Sequence, residues 1–113
     1  MDNVILLKSK RFAIDIINLY KDLSSKQKEY ILSKQLLRAG ASIGANVKEA
    51  QNAQSKADFL SKMSIALKEA DETEYWLELL YETDYINKDL FEQIRGKCSE
   101  ITRILTSIVK NSK

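Results

Sequence analysis

The chain has no histidine and no proline, one cysteine and three glycines among its 113 residues. Each scarcity excludes something. Without histidine there is no imidazole base, no Ser-His or Cys-His arrangement, and none of the Glu-x-x-His pairs that hold a di-iron centre in a helical bundle. Without proline, and with so few glycines, the chain lacks helix breakers, so almost continuous helix is expected. The single Cys98 cannot form an internal disulfide, which favours a reducing, cytoplasmic setting. Long apolar runs are missing as well. Val4–Leu7 is the only one near the N-terminus, short of a signal peptide's core, and nothing approaches the roughly 20 apolar residues of a membrane span. No phosphate loop, dinucleotide fingerprint or zinc-ligand spacing occurs. The expectation is a protein that is not an enzyme, with no cofactor, no metal and no membrane contact.

What is present suits one globular domain over residues 1–113, with 44% apolar and 30% charged residues. The net charge of +2 hides an uneven distribution. Residues 1–28 carry six bases and three acids, residues 56–86 three bases and eight acids, and residues 87–113 six bases and three acids. That segregation suits charge complementarity within the chain or between copies, or a basic outer face for nucleic acid.

Four amphipathic helices are predicted. The first runs from about Val4 to Leu23, with Phe12, Ile16, Leu19 and Leu23 in one stripe and Ala13, Ile17 and Tyr20 beside it. Ser24 followed by Gln27 resembles a capping box and predicts the start of the second helix, whose buried side is Ile31, Leu36, Ala39, Ile43, Val47 and Ala50. Ser55 with Asp58 opens a long third helix to about Tyr85, with Phe59, Met63, Ala66, Ala70, Thr73, Leu77 and Leu80 at alternating spacings of three and four. Asn87 opens the fourth, whose seam is Leu90, Ile94, Cys98, Ile101, Leu105 and Ile108. Joined by short turns, these give an all-α, up-down antiparallel four-helix bundle. The first helix is apolar over more than half its circumference, and Tyr75, Trp76, Leu79 and Tyr81 flank the seam of the third. One core cannot bury all of this, which predicts subunit contacts and a homo-oligomer.

The stretch Gln35–Glu49 is the most distinctive. Gln35, Arg38, Ser42, Asn46 and Glu49 recur at three, four, four and three, so they line one helical face. Small residues lie between them, including Gly40 and Gly44. Two mid-helix glycines cost roughly 1 kcal/mol each relative to alanine, which points to a close helix contact. Arg38 is expected to pair with Glu69 or Glu72, with Ser42 and Asn46 hydrogen-bonding across the contact. Such a network would specify register and orientation. The alternative is an anion site, with Arg38 contacting the ligand and Ser42 and Asn46 as neutral donors.

These residues resemble the small bacterial four helix bundle proteins, also called 23S rRNA intervening sequence proteins. The resemblance rests on Gln35, Leu36, Arg38, Ala39, Ser42, Ile43, Asn46 and Glu49, and on a second block from Ala66 to Leu80. It covers essentially the whole chain. It implies homopentamers of side-by-side bundles, and some members are encoded within 23S rRNA genes, which suggests an RNA role. The fold is also similar to that of a pentameric accessory protein of retroelement reverse transcriptases, which suggests a protein-interaction scaffold. On the first reading, Lys8, Lys10, Arg11, Lys97 and Arg103 are the candidate nucleic-acid contacts, in an electrostatic and salt-dependent mode. On the second, Tyr75, Trp76 and Tyr81 are the candidate contact surface for a protein partner. The third segment's eight acids depart from the more basic exterior common in the family.

Overall fold

The computed structural model describes residues 3–113. Among them are four α-helices: α1 Val4–Ser25, α2 Leu32–Gln51, α3 Lys56–Glu82 and α4 Lys88–Asn111. At 1.5 Å per residue the 27-residue α3 is about 40 Å long. The molecule measures 44 × 21 × 20 Å, so all four helices must lie along its long axis. Each short turn therefore reverses the chain. α1 packs on α2, α2 on α3 and α3 on α4, while α1 and α4 meet more sparsely along the fourth seam.

The caps explain where helices begin. Ser55 accepts from the Asp58 amide at 3.0 Å, and Asn87 Oδ1 from the Leu90 amide at 2.8 Å, as the sequence predicts. The start of α2 differs. Ser24 lies in the last turn of α1, and its hydroxyl donates back to the Tyr20 carbonyl at 2.8 Å. It opens no helix. The cap is Glu29, whose carboxylate accepts from the amides of Ile31, Leu32 and Ser33 at 3.2, 3.1 and 2.7 Å. The Ser33 hydroxyl donates in return to the Glu29 carbonyl. Six residues predicted as helix, 26–31, thus form the turn instead, with Lys28 left-handed at φ 58°. Ile31, expected inside, sits before the helix and is 77% exposed. The Gln27 amide donates to the Tyr85 carbonyl at 2.8 Å, tying this turn to the one between α3 and α4.

The core contains the predicted stripes: Phe12, Ile16, Leu19 and Leu23 from α1, Leu36, Ile43 and Val47 from α2, Met63, Leu77 and Leu80 from α3, and Ile94, Ile101 and Leu105 from α4. Phe91 is also buried, a position the fourth-helix pattern passes over. The buried hydroxyls of Ser9, Ser33 and Thr73 each bond a backbone carbonyl three or four residues back. No buried side-chain nitrogen or oxygen among the described residues lacks a partner. That satisfaction matters, because an orphaned polar group costs about 1–3 kcal/mol.

Candidate functional site

The polar stripe of α2 lies along α3. Arg38 bonds two carboxylates at once, Glu69 Oε2 at 3.2 Å and Glu72 Oε1. Trp76 Nε1 also donates to Glu72 Oε1, at 3.3 Å. The charge network expected from the sequence therefore forms, and it includes an indole that the sequence reading assigns elsewhere. The neutral members behave differently. The Ser42 hydroxyl donates to the Arg38 carbonyl at 2.6 Å, and the Asn46 amide to the Ser42 carbonyl at 2.8 Å. These are bonds to the preceding turn of the same helix, though the Ser42 hydroxyl also reaches Glu69 across the contact and lowers its carboxyl. Short polar side chains in a helix readily bond the i−4 carbonyl of their own helix. Gln35 and Glu49 end the stripe in solvent.

The two carboxylates differ in environment. Burial raises the Glu69 carboxyl above its usual range, reinforced by the hydrogen bond to Glu72, against the pull of Arg38. For Glu72, burial also pushes upward, but the bonds from Trp76 and Glu69 and the charge of Arg38 prevail, and its carboxyl is lowered. The two neighbouring carboxyls are thus pushed in opposite directions, Glu69 up and Glu72 down. Arg38 remains about half exposed, so the site sits at the edge of the core.

Gly40 and Gly44 serve a different contact. A Cβ at Gly40 would come within 2.9 Å of Ile16 Cγ1 and Cγ2, and one at Gly44 within 3.3 Å of the Ser9 carbonyl oxygen. Both neighbours belong to α1. The close approach is between α1 and α2, on the far side of α2 from the Arg38 network.

The aromatic group of α3 is divided. Tyr81 stacks on Phe91 at 4.5 Å, and Arg95 lies over that same ring at 5.1 Å. Trp76 is half-buried toward α2 and meets Tyr75 edge-on at 5.2 Å. Leu79 is half-buried. Tyr75 alone of the four is exposed, at 54%.

The candidate nucleic-acid contacts divide too. Lys8 pairs with Glu100 at 3.3 Å and Lys97 with Asp15 at 2.9 Å, both across the α1–α4 seam. These pairs border a cleft of about 270 Å³ into which Arg11 also opens. Lys10, Arg11 and Arg103 are exposed and enter no ion pair among the described residues. Cys98 is buried, its thiol donating to the Ala70 carbonyl at 3.4 Å. Burial first, and then the charges of Glu74 and Asp71, push that thiol up to about 12. It is protonated at neutral pH and a poor nucleophile. No described cluster of His, Cys, Asp or Glu is arranged to hold a metal ion. No described helix is long and apolar enough to cross a membrane.

A sequence model of the 23S rRNA-intervening sequence protein family matches residues 1–107. The chain belongs to that family. A crystal structure of a protein of unknown function from the S23 ribosomal protein family of Bacteroides thetaiotaomicron is 57% identical, covering 96% of this chain and 97% of that one, with a TM-score of 0.95. No curated protein matches. The family match spans the Arg38 stripe and the Ala66–Leu80 block on which the resemblance rests.

Proposed function

We propose that this family member is a non-catalytic assembly module that acts as a homo-oligomer. The observation that carries this is on α1, where Val4, Leu7, Ile14 and Ile17 are 37–50% exposed on a helix whose other face already fills the core. Of these, Leu7, Ile14 and Ile17 share one outer line of the helix, and an apolar line of that kind suits a subunit contact. The family resemblance implies five copies. Sedimentation equilibrium tests the reading: a mass that is an integral multiple of 13.0 kDa supports it, and a monomer throughout the micromolar range refutes it.

A second reading is RNA binding by the oligomer. It is favoured by Lys10 and Arg11 on α1 and Arg103 on α4, exposed cations that enter no ion pair among the described residues. The bonded Lys8 and Lys97 would contribute little without first breaking their pairs. Binding of this kind is electrostatic and falls steeply with salt. Fluorescence anisotropy with labelled structured RNA tests it. Micromolar binding at low salt that weakens on adding salt, and again in Arg11→Glu/Arg103→Glu, is expected. No binding at low salt would leave a protein-interaction scaffold, comparable to the reverse-transcriptase accessory protein of similar fold.

A further inference from the structure

Two outward-facing stripes lie on opposite sides of the molecule and match one another. On α1, Leu7, Lys10, Ile14, Ile17 and Lys21 recur at three, four, three and four, and so share one line along the helix. The three aliphatic members are exposed, and neither lysine is ion-paired among the described residues. On α3, Asp71, Tyr75, Glu78 and Glu82 recur at four, three and four, with Tyr75 exposed and none of the three acids ion-paired. α1 and α3 each touch α2 and α4 but not each other, so they stand diagonally across the molecule. Lys10 to Lys21 and Asp71 to Glu82 are both eleven residues, about 16 Å along a helix.

We propose that the α1 stripe is covered by the α3 stripe of a second copy of this chain. The inference rests on the assembly reading and specifies its interface. α1 and α3 run in the same direction within one molecule, so copies standing side by side keep the two stripes parallel. With Ile14 set against Tyr75, Lys10 meets Asp71 and Lys21 meets Glu82, while Ile17 lies against the stem of Glu78, so an aromatic-on-aliphatic contact stands between two charge pairs. Two α1 stripes facing each other would instead set lysine against lysine. RNA phosphates would satisfy the lysines but offer Ile14 no apolar partner such as Tyr75. Because each copy offers two different faces, the contact is head-to-tail, and it closes into a ring when the rotation per copy allows.

Charge reversal tests this in the full-length chain. Lys10→Glu/Lys21→Glu and Asp71→Lys/Glu82→Lys should each reduce the mass measured by light scattering to that of a single chain, and combining all four substitutions should restore the oligomer. A wild-type monomer would overturn the assembly reading together with this interface. A wild-type oligomer whose mass neither reversal changes would overturn this interface alone. Should a reversed variant lose its helical circular dichroism, a cysteine pair decides the question. Ile14→Cys/Tyr75→Cys is expected to give a ladder of disulfide-linked chains on oxidation, each single variant at most a linked dimer. Absence of the ladder in an oligomeric double variant overturns the proposal.

Discussion

Arg38 on α2 and Trp76 on α3 donate to the same carboxylate oxygen, Glu72 Oε1. Glu69 lies beside them with its side chain 13% exposed, bonded to the same guanidinium. Arg38→Ala would leave a mostly buried carboxylate next to a second one with no cation. The cost should fall between an exposed ion pair and a buried one, about 1–2 kcal/mol. Glu69→Gln removes the repulsion, so the same Arg38→Ala change should cost less in that background. A double-mutant cycle by urea unfolding reads the coupling. Strict additivity would mean that Arg38 does not act through Glu69.

Gly40 and Gly96 should respond oppositely to alanine. Alanine gains roughly 1 kcal/mol over glycine in a helix interior. At Gly96 nothing lies within 4 Å of the added Cβ, so the gain should appear as a higher melting temperature. At Gly40 the Cβ would be forced against Ile16, and overpacking of a close-packed contact costs about 1–3 kcal/mol. Gly40→Ala should therefore lower the melting temperature. Equal shifts in the two variants would show that the α1–α2 contact yields freely.

Glu29 should give a pH signature. Burial alone would raise its carboxyl, but the amides of Ser33, Leu32 and Ile31 together outweigh it and hold the group below its ordinary value of 4.5. A lowered carboxyl stabilises the fold when ionised, fully above the unfolded-state value, and the contribution is lost as pH falls through the folded one. Glu29→Gln should cost about 1 kcal/mol at neutral pH, in the range of a lost helix cap. The gap from wild type should narrow as the solution is acidified below the ordinary carboxyl value. Glu69, raised by burial, works in the opposite sense, and comparing the variant with wild type cancels it. A gap that does not change with pH would exclude ionisation of Glu29 as the source.

Much of the fold can be read from the spacing of apolar residues. Phe12 to Leu23 and Met63 to Leu80 are strict repeats, and they are the core. The start of α2 is not legible, because Ser24–Gln27 carries a capping signal inside a helix that continues through it. Its true cap is a glutamate reaching forward to three amides, and glutamate is not among the usual cap residues. Arg38 with Glu69 and Glu72 was readable as opposite charges on two helices of known faces. The local bonding of Ser42 and Asn46 was not, since a short polar side chain can serve either its own helix or a neighbour. The glycines signalled a close contact without saying which neighbour was close. The outer line of α1 was legible only as an excess of apolar residues. Its match to Asp71, Tyr75 and Glu82 depends on α1 and α3 lying diagonally.

Three of the four seams join helices that follow one another along the chain. Most stabilising contacts therefore span one turn, and little loop-closure entropy is lost before they form. Each hairpin can be completed as soon as its second helix exists, while the remainder is still being synthesised. Both seams of α4 wait for the C-terminal helix, but only the sparse α1–α4 seam, with its two ion pairs, joins helices that do not follow one another along the chain.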